Sequence, residues 1–388
     1  MSEPSLKLKL VGVTGTNGKT TSTMLIRQIL RDCLGAETGL IGTIANFVGE
    51  KEIPAARTTP ESYDLQKLLY EMVQAGCTHA VMEVSSHALY LGRTAGIRFR
   101  AGLFTNLTQD HLDFHGTMLR YAEAKATLLR QCDAAAINTD DTWSTYMAQR
   151  ADCPVLSFGT HGAEDLSASD IECRADGVRF TARLGSQIQR VSLGIPGRFS
   201  VSNALTALAA GAILDLPLDA MAASLAGAKS VKGRMEIVPT EGDHTIVIDY
   251  AHTPDALEKA LRTLREVSPG RVVAVFGCGG DRDASKRPIM GRIAAENADR
   301  VIVTSDNPRT EDPEAILRDI LRGIPDGMSA EVIPDRREAI RAAIDTHLPG
   351  DVILLAGKGH ETYQEINGRK YPMDEREIVR GCADEERG

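Results

Sequence analysis

Thr14-Gly15-Thr16-Asn17-Gly18-Lys19-Thr20-Thr21 is the stretch on which the reading of this chain turns. It joins an apolar run, Leu8–Val13, that reads as a strand to a segment from Lys19 to Leu30. Met24, Leu25, Ile29 and Leu30 give that segment one helical stripe. A glycine-rich turn between strand and helix can point several backbone N–H groups inward at a phosphate. The helix adds the positive end of its dipole. Lys19 would bring charge to the β- and γ-phosphates of a nucleotide, and Thr20 a hydroxyl to magnesium. The spacing departs from GxxxxGK[ST], because Val13 stands where the first glycine belongs. A plain glycine turn leaves a lysine and two threonines at a helix start unexplained. Phosphate binding is the better reading.

Outward from that loop, helix Tyr63–Ala75 and strands Thr78–Val84 and Ala101–Thr105 imply a parallel sheet with crossover helices. Between Cys153 and Leu193, short segments of alternating polarity imply a small antiparallel β insert, followed by helix Val201–Leu214. The last third repeats βα units. Strand Arg271–Gly277 leads to helix Arg287–Asn297, and strand Arg300–Ser305 to helix Pro313–Ile324. Strand Ala330–Pro334 leads to helix Arg337–His347, and strand Asp351–Ala356 closes the series. The expected fold is α/β: a P-loop-type central domain with a parallel sheet and small β insert, then a Rossmann-like C-terminal domain. The boundary is expected within Val231–Glu236, giving domains 1–233 and 234–388.

A chain of 388 residues exceeds the size at which single cores stop growing, which agrees with two domains. A net charge of −9 argues against a general nucleic-acid binder but leaves anionic small-molecule substrates open. Seven cysteines without CxxC spacing read as reduced intracellular thiols rather than a disulfide framework or a zinc site. Met1 to Lys9 has no apolar core of a signal peptide. No apolar run approaches the roughly 18–20 residues that span a bilayer. The expectation is a cytoplasmic monomer acting on small molecules, with neither nucleic-acid nor membrane partners.

Glu83 ends the apolar run Ala80-Val81-Met82, and a carboxylate at a strand's carboxyl end near a phosphate loop suits Mg²⁺. His111, in the segment Thr105–Asp113 after the next strand, is a second candidate ligand. Lys125 sits at a helix start in Tyr121-Ala122-Glu123-Ala124-Lys125, where periodicity alone reads an exposed lysine.

Taken in order, TGTNGKTT (14–21), TTP (58–60), EVSSHAL (83–89), FTNLTQDHLDFHG (104–116) and YAEAK (121–125) resemble the Mur ligases. So do GRFSVSNALTALAA (197–210), KGRME (232–236), DYAHTPDAL (249–257), GCGGDRDASKRP (277–288), DNPRTEDP (306–313) and AGKGHE (356–361). The set is most similar to the members that add the third amino acid, diaminopimelate. The resemblance implies an ATP-dependent acid–amino-acid ligase of peptidoglycan-precursor type, joining a muramoyl-peptide carboxylate to meso-diaminopimelate through an acyl phosphate. It implies ATP and Mg²⁺ as cofactors, with Lys19, Lys125, Glu83 and His111 catalytic. Thr20, Glu83, His111 and a CO₂-carbamylated Lys125 would hold the metal. Gly15, Thr16, Asn17, Gly18, Lys19, Thr20, Thr21, Asn203, Arg234, Asp249 and His252 would bind ATP. Thr58, Thr59, Ser85 and Arg93 would contact the acceptor. Arg282, Asp306, Asn307, Arg309, Gly357 and Glu361 would form the amino-acid pocket.

Members of that family carry an additional N-terminal domain for uridine diphosphate, whereas here the phosphate loop begins at residue 14. The expectation is therefore a chain without that domain. Two alternatives follow: a two-domain ligase using an acceptor without UDP, or a non-catalytic nucleotide-binding partner protein.

Overall fold

The computed structural model describes residues 4–174, 177–240 and 242–385. It comprises two compact units, Met1–Thr108 with Phe114–Lys229, and Gln109–Asp113 with Ser230–Gly388. No helix among the described residues is long and apolar enough to cross a membrane.

In chain order the first unit runs β1 (Lys9–Thr14), α1 (Lys19–Leu34), β2 (Thr38–Ile41), β3 (Ala45–Val48), β4 (Lys51–Pro54) and α2 (Ser62–Gln74). Next come β5 (His79–Glu83), α3 (Ser86–Tyr90), β6 (Phe99–Phe104), the single turn α4 (Leu112–His115), α5 (Met118–Arg130) and β7 (Cys132–Asn138). It ends with α6 (Ser144–Ala148), β8 (Val155–Gly159), β9 (Leu166–Arg174), β10 (Gly177–Leu184), β11 (Gln187–Leu193), α7 (Phe199–Ile213) and α8 (Leu218–Ala226). One sheet of 11 strands carries the unit, in the order β11-β10-β9-β8-β7-β6-β1-β5-β2-β3-β4.

Its middle strands are parallel: β1 pairs with β5 and β6, β5 with β2, β6 with β7, and β7 with β8. Every residue of β5 is buried, as a parallel strand covered on both faces requires. One face packs Leu25, Ile29, Val201 and Leu208 against Val11, Val81 and Leu103. The other packs Leu65, Leu69, Phe99, Tyr121 and Leu128.

The expected β insert is present but forms no separate layer. β8 pairs in parallel with both β7 and β9, and within the insert β9, β10 and β11 pair antiparallel, so the segment extends the main sheet. The short strands β2, β3 and β4 escape periodicity, because four residues fill only two alternations. α1 runs one turn past its expected end and stops where Gly35 turns left-handed, its N–H bonding Arg31 O.

The second unit contains β12 (Glu236–Val238), β13 (Thr245–Asp249), α9 (Pro254–Val267), β14 (Val272–Phe276), α10 (Lys286–Asn297), β15 (Arg300–Val303) and α11 (Pro313–Leu321). β16 (Glu331–Val332), α12 (Arg336–Asp345), β17 (Val352–Ala356), the hairpin β18 (Tyr363–Ile366) and β19 (Arg369–Pro372), and α13 (Glu375–Glu385) follow. Its sheet has the order β12-β13-β17-β14-β15-β16, parallel except for β12.

α12 and α13 are locked by an ion pair with no solvent contact. Arg336 Nε donates to Glu375 Oε1 at 2.8 Å and Nη2 to Ala356 O at 2.8 Å, both charged side chains being 0% exposed. The pair thereby also pins the carboxyl end of β17, where the Gly357–Glu361 loop begins. Removing one partner of a buried pair strands the other charge, which costs about 3–5 kcal/mol. Glu375→Ala should lower the urea stability of this unit by that amount, and a loss under about 1 kcal/mol would show the pair to be dispensable.

Candidate active site

The turn after β1 is built from close approaches that only glycine permits. Gly15 has φ 153°, and a Cβ there would lie 1.9 Å from Thr105 Oγ1. Gly18 has φ 85°, and a Cβ would lie 2.4 Å from Asn203 Oδ1. Asn203, on α7, is thus set directly against the loop, and Ser22 Oγ donates to its Oδ1 at 3.5 Å.

The loop's N–H groups divide their work differently from the expectation. Thr16 N donates to Asn106 O and Asn17 N to Asn106 Oδ1, both at 2.9 Å, so these two are committed to the protein. Gly18 to Thr21 form the N-terminus of α1, whose positive dipole end favours a phosphate. Lys19 folds over the same loop, its Nζ donating to Gly15 O at 2.8 Å and Thr16 O at 2.7 Å. Thr21 is buried in that first turn.

Glu83 lies at the carboxyl end of β5, with its side chain turned into the protein. Its Oε2 accepts from Thr20 Oγ1 at 3.0 Å and Thr43 Oγ1 at 2.9 Å, and its Oε1 accepts from Thr43 N at 2.8 Å. A hydroxyl and a carboxylate within 3.0 Å are hard oxygen donors of the kind Mg²⁺ takes. The residues present fit that ion.

Thr58, Thr59, Ser85 and Arg93 cluster around the same strand end. Thr59 Oγ1 donates to Glu83 O at 2.8 Å and accepts from Ser85 N at 3.0 Å. Arg93 Nη1 donates to Thr59 O at 3.2 Å, and its Nη2 lies 2.8 Å from Glu61 Oε1. Thr58 Oγ1 is 3.0 Å from Thr43 Oγ1, and Ser85 Oγ caps α3 by accepting from Ala88 N.

Lys125 is 1% exposed, overturning the exposed lysine that helical periodicity suggests. Its Nζ donates to Gly15 O at 2.7 Å and lies 4.5 Å from the Tyr121 ring centroid. Tyr121 in turn stacks on His115 at 5.0 Å and places its hydroxyl 3.2 Å from Thr16 Oγ1. Burial first, then the charges of His87 and Lys125, hold the His115 imidazole down at about 4.

In the second unit, Asp110 is the hub that sequence reasoning missed. Its Oδ2 lies 3.3 Å from His111 Nε2 and 3.8 Å from His252 Nε2, and its Oδ1 is 3.9 Å from Lys286 Nζ. Burial alone would raise this carboxyl, but His252, His111 and Lys286 pull it well below the usual carboxylate range. His111, taken from sequence as a candidate metal ligand, therefore stands beside a carboxylate. Its backbone is left-handed, with φ 53°.

Arg234 lies over the Tyr250 ring at 4.7 Å, and Asp249 Oδ2 accepts from Met235 N at 2.7 Å. Burial pushes the Asp249 carboxyl up against the pull of Arg234. Burial, then the charges of Arg234 and Arg376, hold His360 down at about 4.

The Asp306–Arg309 and Gly357–Glu361 loops meet through Lys358, another residue that sequence reasoning passed over. Lys358 Nζ donates to Asn307 Oδ1 at 2.7 Å and Glu361 Oε2 at 3.0 Å, and Asn307 Nδ2 donates to Glu361 Oε2 at 2.8 Å. Arg309 Nη1 donates to Gly280 O at 2.6 Å, with Nε 3.5 Å from Glu365 Oε2. Arg282 stands apart from that network, its Nη1 donating to Asp281 O. The signals were within reach: Asp110 and Lys358 both lie inside quoted motifs.

Residues 13–211 match the family described as the Mur ligase middle domain, and residues 233–359 that described as the Mur ligase glutamate ligase domain. The UDP-N-acetylmuramoyl-L-alanyl-D-glutamate–2,6-diaminopimelate ligase of Clostridium botulinum is 44% identical over 378 residues, spanning 97% of this chain and 78% of that protein. The ligase of the same name from Gloeobacter violaceus is 48% identical over 383 residues, spanning 97% and 77%. A solved structure of such a ligase superposes with a TM-score of 0.69 at 37% identity, covering 98% of this chain and 79% of that one.

His115 and His360 have folded values near 4 against an ordinary value of 6.5. On acidification the unfolded chain takes up protons first, so their stabilisation is complete above about pH 6.5 and is lost as pH falls through about 4. Thermal unfolding midpoints should decline across that window, less steeply in His115→Gln. An unchanged slope in that variant would clear His115 of the effect.

Proposed function

This chain belongs to the Mur ligases, ATP-dependent enzymes that form amide bonds, and from that premise we propose that it adds meso-diaminopimelate to a muramoyl-peptide carboxylate. The setting is peptidoglycan-precursor synthesis in the cytoplasm. The observation that carries the reading is the grouping of Lys19, Thr20, Glu83 and Lys125 around one loop at the carboxyl ends of parallel strands.

In the reaction, the acceptor carboxylate attacks the γ-phosphorus of ATP. A new P–O bond forms as the bond to ADP breaks, leaving an acyl phosphate. Lys19 and the first-turn N–H groups of α1, Gly18 to Thr21, offset charge on the phosphoryl oxygens, while Gly15, Thr16 and Asn17 shape the loop. Thr20, Glu83 and a carbamylated Lys125 would hold Mg²⁺, which would supply further neutralisation of that charge. His111 is the remaining candidate ligand. The ordered motifs assign Asn203, Arg234, Asp249 and His252 to ATP as well.

Thr58, Thr59, Ser85 and Arg93 hold the acceptor so that its carboxylate is aligned for attack. The neutral amine of the amino acid then attacks the acyl carbon, the resulting tetrahedral centre collapses, and phosphate leaves as the amine loses a proton. Arg282, Asp306, Asn307, Arg309, Gly357 and Glu361 bind that amino acid. The domain of residues 1–233 accordingly carries the phosphate loop, and that of 234–388 the amino-acid pocket.

Arg309 gives a physical basis for preferring diaminopimelate over lysine. A guanidinium carries five N–H donors, and a distal carboxylate would compete with Glu365 for them. One charge-assisted hydrogen bond is worth about 1.5–3 kcal/mol, or about 10–150-fold.

Phosphate release measured with ATP, Mg²⁺ and acceptors with and without the UDP group should depend on diaminopimelate. Absence of amino-acid-dependent turnover with every acceptor carboxylate would end this reading. Lys125→Ala should lose turnover by about 10²-fold or more, with partial recovery in added short carboxylates; indifference to the substitution would remove its bridging role. In Arg309→Ala the preference for diaminopimelate over lysine should shrink by about 10–150-fold, and an unchanged ratio of kcat/KM values would exclude that residue from selectivity.

A further inference from the structure

Asp243 and His244 lead into β13, and His347 follows α12. One ligand atom from each of the three lies within 4.8 Å of the other two. His347 Nε2 is 3.1 Å from Asp243 Oδ1, and the two imidazole rings are 4.0 Å apart between centroids. His244 is buried and Asp243 exposed, so the cluster opens to solvent on one side.

The surrounding backbone holds these side chains in place. Asp243 O accepts from Gly350 N at 2.7 Å, and His244 O from Thr240 Oγ1 at 2.9 Å. A Cβ on Gly242 would lie 2.5 Å from His244 Nδ1, so glycine makes room for that ring.

The hydrogen-bond pattern of His347 points to a cation. Its Nδ1 lies 2.6 Å from Ile344 O, a carbonyl that only accepts, so Nδ1 carries the hydrogen. Nε2 then faces a carboxylate oxygen, which also only accepts. A neutral ring would set lone pair against lone pair. Either a second proton or a metal ion resolves the contact, and a metal ion can also take a lone pair from His244. A backbone carbonyl behind a ligating imidazole is the usual device that orients the ring toward a metal.

We propose that Asp243, His244 and His347 form a binding site for a divalent transition-metal ion, zinc in particular, independent of the nucleotide site. Two imidazoles and one carboxylate suit zinc rather than Mg²⁺, with water in the fourth position. A tetrahedral ion with bonds of about 2.0–2.1 Å holds its ligand atoms about 3.4 Å apart. The Nε2–Oδ1 separation of 3.1 Å is near that value, and the three ligand atoms, within 4.8 Å of one another, would draw together around the ion. Bound there, the ion would fasten the start of β13 to the end of α12 and stabilise the second unit by linkage.

The test is zinc titration of the chelator-treated full chain in excess Mg²⁺, read by calorimetry and by the thermal midpoint. Zinc should bind and raise the midpoint, and both His347→Ala and Asp243→Ala should weaken it by at least about tenfold. Asp243 is exposed, so its variant keeps the test open if His347→Ala does not fold. Cobalt in place of zinc should show ligand-field bands without thiolate charge transfer, because the chain's cysteines are the rival ligands. The absence of binding, affinity undiminished in both variants, or a thiolate band would each overturn the proposal.

Discussion

The first unit is organised around one buried charge. Glu83 is 1% exposed, and an ionised carboxylate in that setting costs several kcal/mol unless donors surround it. Those donors are Thr20 at the start of α1 and Thr43 after β2, with Thr59 bonding the Glu83 backbone carbonyl. Satisfying the Glu83 side chain and backbone therefore brings the phosphate loop, the β2–β3 turn and the Thr58–Thr59 segment to a common point. The same requirement explains why polar residues sit at the carboxyl ends of otherwise apolar strands.

Lys358 plays the corresponding part in the second unit. Its ammonium is 0% exposed and is satisfied by Asn307 and Glu361. Asn307 Oδ1 also accepts from Glu365 N, so two loops and the β18–β19 hairpin share a set of hydrogen bonds. Arg309 emerges from this network with a left-handed backbone, φ 52°, and is held at its N–H by Glu365 O. Binding chemistry placed on such a frame inherits its rigidity, because each polar group is oriented by a partner before any ligand arrives.

The parallel strands of both units were legible because burial on two faces demands continuous apolar runs, as in β5 and β17. The phosphate loop was legible because glycine, lysine and threonine in that order have few other uses between strand and helix. β2, β3 and β4 were not, being too short for a period to develop. Lys125 was misread from periodicity because a helix pattern reports amphipathicity, whereas the burial of this lysine depends on Gly15 O, 110 residues earlier in the chain. The ligand sets assigned to the acceptor, nucleotide and amino acid came from the ordered motifs and their resemblance to a family, since no local pattern names a substrate.

By itself the sequence determined the α/β class, the βα repeats of the last third and the nucleotide loop, all of them set by neighbours within a few turns of chain. Only the tertiary structure decided that Thr16 and Asn17 spend their N–H groups on Asn106 and that the β insert continues the main sheet. It alone gathered Asp110, His252 and Lys286 into one electrostatic cluster, and Asp243, His244 and His347 into another. The physical reason is range. Backbone preference and hydrophobic periodicity act over adjacent residues, whereas hydrogen bonds and ion pairs act over a few ångströms of space, which folding makes available to residues a hundred or more positions apart.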